Sequence, residues 1–507
     1  MYLSKSKYCG LWQCPKIAWL NKYKPEEAKI DGNAQNRRET GDAVGDLAMG
    51  LFGDYVDVTA YDGEKIDISK MISNTVSEMR KGTRNICEAS FSYKGLYCAV
   101  DILRKADTGW SIFEVKSSVK HQKEDGSEED DKEVYIADIA FQKYVLENSG
   151  VNVVGTYLVC LNGDYVFNGT LDLNKLFFIT DVGEAVNEES KNIEANIIKA
   201  EEILKSDREP AIDIHEKCNN PYNCVYWQYC TKTIPERSVF DLYRLKFKKK
   251  IEYYRKGWIS YSELLKNVPI KNVKQRRQLE YGIDDKGTYV NKEAITNYLA
   301  SLSYPLYFLD FETVQYAVPK YVGTKPYAQI PFQYSLHYIE KESGEILHKE
   351  FLGEPETDPR RALAEQLCMD IPMDVCVTAY NKAFECSRIK ELADAFPNLA
   401  EHLLNIKEHI VDLLIPFQSG WYYNRAMGGS FSIKSVLPAI FPDDPELNYH
   451  NLEEIHNGSE AMSAFPKLAL MTSEERERSR HNLLKYCELD TFAMVKVWQE
   501  LVRVAKT

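Results

Sequence analysis

A chain of 507 residues with 44% hydrophobic and 12% aromatic content is globular and long enough for two or three domains, each with its own core. Its net charge of -13 at pH 7 argues against a protein coated in nucleic acid, although a local basic groove stays open. Met1 to Leu20 has no apolar signal core, no window approaches a membrane span, and twelve cysteines in such a setting speak against a disulfide framework, so a cytoplasmic protein with no membrane partner is expected.

Helical spacing runs from Arg37 to Phe52, with Val44, Leu47, Ala48 and Leu51 on one side, and a second helix is expected over Ile68 to Lys81. Ile86 to Tyr93, a Lys94-Gly95 turn and Leu96 to Arg104 read as a β-hairpin, followed by a third strand over Trp110 to Ser117. Asp101 ends an apolar run, and Glu114 and Lys116 alternate along the next strand, so they share a face. Two carboxylates bind a hard divalent cation such as Mg2+ or Mn2+, and the lysine can orient a bound water or stabilise phosphate charge. Asp101, Glu114 and Lys116 are therefore expected to surround a metal-sized gap, and Lys116→Ala to leave the fold intact. Lys120 to Lys132 reads as an acidic, mobile insertion.

Cys218, Cys224 and Cys230 follow at intervals of five intervening residues, inside a loop that leads into aromatics. Three thiols in so short a run can hold a metal centre, but a Cys-only site usually wants four. Cys14, followed by Pro15, is the preferred fourth over neighbouring Cys9, and would clasp the two ends of one folded unit. All-sulfur ligation favours an iron–sulfur cluster, with zinc the competitor. Between Asp241 and Tyr281 twelve Lys or Arg stand against four Asp or Glu, which is either an electrostatic footprint for nucleic acid or a solvated helical connector.

After a helix over Asn291 to Leu302, Leu306 to Thr313 reads as a short apolar strand whose Asp310 and Glu312 fall on one face. Acids on a central strand are costly unless they coordinate something. Downstream, Glu385 opens a helix after a strand at Val375 to Ala379, and Tyr486 and Asp490 lie one turn apart on a helix running to about Val504. Asp310, Glu312, Glu385 and Asp490 could converge on two metal ions about 4 Å apart, with Tyr486 positioning a water.

Asp101, Glu114-x-Lys116, a following helix with Gln142 and the one-plus-three cysteine layout together resemble RecB-like PD-(D/E)XK nucleases. CRISPR-associated exonucleases and AddB-type repair nucleases are the nearest in layout. The resemblance implies a restriction-endonuclease-like domain clasped by a [4Fe-4S] cluster on Cys14, Cys218, Cys224 and Cys230. It makes Asp101 and Glu114 ligands of Mg2+ or Mn2+, Lys116 an aid to the water, Gln142 a support, and Glu88 a further acidic candidate. The early helix lacks the metal-binding His of those families, and the first two clustered cysteines have five residues between them where those families have two. Asp-x-Glu, Asn381-x-x-Phe384-Glu385 and Tyr486-x-x-x-Asp490 resemble the DnaQ-like exonucleases of the RNase H-like fold. Gly429 to Lys434 before Val436-Leu437-Pro438 fits the same pattern. Glu385 stands where that family generally has Asp, and Asp412 either compensates or is structural.

End to end, the chain resembles a bacterial family of unknown function that joins the two halves, most specifically over Tyr304 to His337. The expected architecture is α/β: a nuclease domain over residues 1–235, a basic helical connector over 236–300, and an RNase H-like domain over 301–507. The expected function is a metal-dependent DNA nuclease acting with a helicase or other partner in repair or phage defence. An RNA-processing nuclease, or a nucleic-acid-binding scaffold with one dead half, is the alternative. No phosphate-binding Gly-x-x-x-x-Gly-Lys loop occurs, so the chain is no motor.

Overall fold

The computed structural model describes residues 3–29, 34–121, 133–220 and 222–507, so most of the expected acidic insertion lies outside the described residues. The chain is a mixed α/β protein with several sheets, and no described helix is long and apolar enough to cross a membrane. It divides into two units: Met1–Thr233 with Tyr316–Tyr327, and Ile234–Gln315 with Ala328–Thr507.

Unit 1 is built on a sheet whose strands run Val56–Asp57, Asn85–Tyr93, Leu96–Lys105, Trp110–Lys120, Val153–Asn162 and Phe177–Asp181, with Leu3–Ser4 paired alongside Leu96–Lys105. Asn85–Tyr93 and Leu96–Lys105 form the expected hairpin. Its two turn residues, Lys94 and Gly95, have φ of 44° and 84°, a conformation that suits the glycine. Trp110–Lys120 then pairs antiparallel with Leu96–Lys105 and parallel with Val153–Asn162. The crossover between those parallel strands contains the helix Glu133–Asn148. Its Ile139, Phe141 and Val145 join Ile86, Val100 and Leu158 in one core. Such a helix, buried nearly all round, covers both the sheet and the long helix Gly183–Lys205. Tyr316–Tyr327 completes this unit. Phe167 donates its N–H to Thr324 O at 3.0 Å, Tyr327 Oη donates to Ser117 O at 2.9 Å, and Ala317 joins the apolar cluster of Phe113, Val159 and Tyr165.

Unit 2 carries a five-stranded sheet in the order Leu347–Leu352, Ile330–Ile339, Leu306–Val314, Cys376–Ala379, Ile410–Asp412. The first three strands are antiparallel, and the last two run parallel to the central one. On one face of the central strand Tyr307, Leu309 and Phe311 pack with Leu363, Leu367, Ile389 and Leu403 from the covering helices. On the other, Phe308 meets Trp498 of the 34-residue helix Ser473–Lys506 at a ring separation of 5.9 Å. Strand alternation therefore turns Asp310 and Glu312 toward that helix.

The stretch expected as a separate connector belongs to unit 2. Val239, Leu242, Tyr261, Leu264 and Leu279 form a small core of their own. Lys274 Nζ donates to Gln418 O at 2.6 Å, Arg277 donates to Gly420 O, and Arg277 lies 3.4 Å over the Tyr289 ring. Several of the basic residues are thus spent on internal contacts rather than presented as one open strip.

Candidate active sites

In unit 1, Ile102 pairs with Phe113, so Asp101 and Glu114 occupy the next step of the ladder. Lys5 Nζ joins them, donating to Asp101 Oδ1 at 3.3 Å and to both Glu114 oxygens at 3.2 and 3.3 Å. Lys116 Nζ donates to Glu114 Oε1 at 2.6 Å and to Asp138 Oδ2 at 2.9 Å. Gln142, one helical turn past Asp138, donates Nε2 to Glu114 Oε2 at 2.7 Å and to Asp138 Oδ1 at 3.0 Å. The remaining Asp101 oxygen accepts the Val115 N–H at 2.7 Å. All four expected residues meet, together with Lys5 and Asp138, which sequence reasoning had not marked as site residues.

Burial alone would lower the pKa of Lys5, yet Asp101 and then Glu114 hold it well above the usual lysine value. Glu114 and Asp138 do the same for Lys116 against its burial. Glu88, nearby, is pushed up to about 7 by burial and by Asp101. The expected metal-sized gap between Asp101 and Glu114 is instead bridged by the Lys5 ammonium. The cause is local: Leu3 pairs with Leu96, and this carries the next residues over the carboxylates. The contacts of Lys116 also set a stability cost for Lys116→Ala. Removing this ammonium leaves Glu114 and Asp138 facing each other in a buried setting, with Lys5 the nearest compensation. A loss of about 3–5 kcal/mol is expected, because breaking a buried pair strands the other charge. Chemical denaturation of the full chain checks this, and an unchanged midpoint would refute it.

The four expected cluster cysteines also gather in unit 1. Cys14 is buried, Cys224 and Cys230 pack against the same apolar cluster, and Cys224 N–H donates to Cys218 O at 2.9 Å. Burial raises all four thiols, and the other sulfurs add to this for Cys218, Cys224 and Cys230. Backbone N–H groups oppose it: those of Lys16 and Ile17 at Cys14, His215 at Cys218 and Tyr226 at Cys224. Cys9, by contrast, sits near Asp138, Lys116 and Glu114, so its neighbours are the carboxylate cluster. All described cysteines are free thiols.

In unit 2, Asp310, Glu312 and Asp490 each offer a carboxylate oxygen within 4.8 Å of the others. Burial, then Asp490, Glu312 and Glu385, push Asp310 well above the usual aspartate range. Burial and Asp490 carry Glu312 to about 8. Glu385 stands outside the trio, but its charge bears on Asp310. Its Oε2 is buried with no hydrogen-bond partner among the described residues, and burial followed by Asp412 brings it to about 8. Asp412 itself is structural in its contacts, since its Oδ1 accepts the N–H groups of Asn381 and Leu414 at 2.9 Å each.

The polar surround came from loops. Lys434 Nζ donates to Tyr486 Oη at 2.9 Å and offsets the charge of Asp310, Glu312 and Asp490. Tyr449 Oη donates to Asp490 Oδ1 at 2.6 Å. Burial and Asp490 raise Tyr486 far above its ordinary value, so its hydroxyl stays protonated. A Cβ added at Gly458 would lie 3.5 Å from Glu312 Oε2 and 3.9 Å from Tyr486 Oη, so glycine keeps space open beside these oxygens. Tyr449 and Gly458 carry no sequence signal, whereas Lys434 closes a segment already singled out.

These shifts set a pH dependence for the metal-free protein. Glu312 and Glu385 have folded pKa values of about 8 against an ordinary 4.5, so the folded state holds the extra protons. Their contribution to stability is complete below about 4.5 and is lost as pH rises through about 8. Thermal unfolding in chelator at pH 6, 7 and 8 should show this decline, and it should shrink in Asp310→Asn. A flat profile in both proteins would refute it.

Among the described residues, the acidic trio is one of two groups of three possible metal ligands that converge this closely. The other is His337, His348 and Glu488; the unit 1 carboxylates and the cysteines are in neither.

A family model for a domain of unknown function, DUF2779, matches residues 307–432. An uncharacterized protein of Ureaplasma parvum serovar 3 is 27% identical in a match covering 43% of this chain and 36% of that relative. The family match takes in Asp310, Glu312, Glu385 and the segment up to Ser432, and ends before Lys434 and Asp490.

Proposed function

We propose that this protein is a metal-dependent nuclease whose principal catalytic centre is the acidic pocket of unit 2. The carrying observation is the convergence of Asp310, Glu312 and Asp490 from a central strand and the long helix, next to Glu385. The strand order, an antiparallel three-stranded meander continued by two parallel strands, supports an RNase H-like reading of this unit. So many buried carboxylates with one nearby ammonium suit a divalent cation, and Gly458 leaves room for ligands beside them.

Mg2+ or Mn2+ bound there would supply an activated water and neutralise charge on the scissile phosphate. Asp310, Glu312, Glu385 and Asp490 would hold the ions. Tyr486, kept protonated by its surroundings, would orient the attacking water, and Lys434 fixes the Tyr486 oxygen. DNA is the proposed polymer and RNA the alternative.

Unit 1 is proposed as a RecB-like half in which Asp101, Glu114, Lys116 and Gln142 occupy the positions of a nuclease site. Cys14, Cys218, Cys224 and Cys230 would hold a [4Fe-4S] cluster of structural role, a fit supported by backbone N–H groups aimed at three of the sulfurs. The Lys5 bridge favours the other reading for this half, binding without cutting, because the ammonium competes with any cation for Asp101 and Glu114.

Purified full chain should be assayed with Mn2+ on end-labelled single- and double-stranded DNA and RNA. Cleavage of one polymer that Asp310→Asn abolishes and Lys5→Met leaves standing is the expected result. No cleavage of any polymer, or equal cleavage by Asp310→Asn, would overturn the assignment.

A further inference from the structure

The strands Ile330–Ile339 and Leu347–Leu352 place His337 directly opposite His348, so both rings stand on one face of the unit 2 sheet. Their centroids are 4.5 Å apart. The long helix Ser473–Lys506 brings Glu488 to the same spot. One nitrogen of each ring and one Glu488 carboxylate oxygen lie within 4.8 Å of one another. His337 is buried, while His348 and Glu488 are half-buried, so the group opens toward solvent on one side.

A chain of hydroxyls lies behind the rings and sets how their protons can be shared. Thr491 Oγ1 lies 3.1 Å from the Glu488 carbonyl, which can only accept, so Thr491 spends its single proton there. It therefore accepts from its other two partners, His337 Nδ1 at 2.8 Å and Ser335 Oγ at 2.7 Å. Ser335, having given its proton to Thr491, accepts from His348 Nε2 at 2.9 Å. In the pattern that satisfies every one of these contacts, His337 Nδ1 and His348 Nε2 are donors, which leaves lone pairs on His337 Nε2 and His348 Nδ1. Ligating histidines are oriented in this way, each ring donating its other N–H to a fixed acceptor.

From this juxtaposition we propose that His337, His348 and Glu488 form a site for a divalent transition-metal ion, zinc above all, separate from the acidic pocket. Two neutral imidazoles and a carboxylate are the donor set of three-ligand zinc sites, with water as the fourth ligand. Imidazole donors select against Mg2+, so this site and the Asp310 pocket draw on different ions. Zinc bonds of about 2.0–2.1 Å at tetrahedral angles separate ligand atoms by about 3.4 Å, so a contraction of at most about 1.4 Å closes the group. The half-buried His348 and Glu488 side chains can supply it. The competing partner of Glu488 is Lys485 at 2.7 Å, an exposed i,i+3 pair of small worth. A metal here would pin the strand pair to the helix that carries Tyr486 and Asp490. The proposal stands without the nuclease reading.

The test is the zinc content of the full chain after equilibration with Zn2+ and gel filtration, for the parent, His348→Ala and Glu488→Gln. Each variant should hold about one equivalent less than the parent and lose the part of the zinc-induced rise in Tm that depends on this site. Zinc taken up by the cysteines or by the Asp310 pocket is common to all three proteins and cancels in the difference. Should His348→Ala fail to fold, Glu488→Gln, a near-isosteric change at a half-exposed helix position, carries the comparison alone. Equal zinc in the parent and in the folded variants would overturn the proposal.

Discussion

Asp310→Asn is expected to stop phosphodiester cleavage while making the metal-free protein more stable. The side chain is half-buried, and burial, Asp490, Glu312 and Glu385 all oppose its ionisation. The carboxamide keeps the size but removes one negative charge, so the like-charge repulsion around it falls. Relief of about 1 kcal/mol or more corresponds to a rise of about 2–4 °C in the Tm of a unit this size. Metal affinity moves the other way, because a neutral amide cannot replace an anionic bridge between the central strand and Asp490. Loss of several kcal/mol of transition-state stabilisation corresponds to about 10²–10⁴-fold in rate. Paired nuclease assays and thermal melts in chelator separate the two effects. A variant that is both inactive and less stable would mean that Asp310 is a structural residue.

The second large effect is expected at Cys224→Ser. Anaerobically purified parent should be brown, with iron and acid-labile sulfide near four per chain, as one cubane cluster requires. Serine is a poor ligand for iron, so the variant should bleach. Because metal binding and folding are linked, unit 1 should lose well over about 3 kcal/mol with its cluster. The contacts at stake join distant parts of the chain. Gln13 Nε2 donates to Tyr222 O at 2.7 Å and to Lys217 O at 3.0 Å, and Tyr226 Oη donates to Asn21 at 2.6 Å. Stoichiometric zinc without iron in the parent would end the cluster reading, and an unaltered denaturation midpoint in the variant would end its structural role.

What could be read from the chain alone followed the strength of local signals. The Lys94-Gly95 turn between alternating runs places the hairpin to within a residue, and Ile68–Lys81 is found at its expected ends. Asp310 and Glu312 stand out because acids are rare at the tip of so apolar a strand. Asp138 gives no such signal: it lies in a helix apolar on every side, where one acid looks like an exposed-face residue although it is buried. Lys5 is silent for a different reason. Its partners are 96 and 109 residues away, and the pairing of Leu3 with Leu96, with Tyr8 stacked on Phe141, brings them together. The hydroxyls of Ser335 and Thr491 behind the two rings are invisible in the same sense, being 156 residues apart.

The discontinuity of unit 1 also matters while the chain is being made. Residues 1–233 emerge first, but the unit is complete only when Tyr316–Tyr327 has followed. At synthesis rates of about 5–20 residues per second, the intervening stretch takes several seconds to appear. During that interval the apolar surface awaiting Ala317, Val318 and Tyr327, around Phe113 and Tyr165, stands uncovered on the nascent chain. A fragment ending at Thr233 should accordingly bind a hydrophobic dye that the full chain does not. On the ribosome the same surface is a window for chaperone capture, and it closes only after the strand bearing Asp310 has been synthesised.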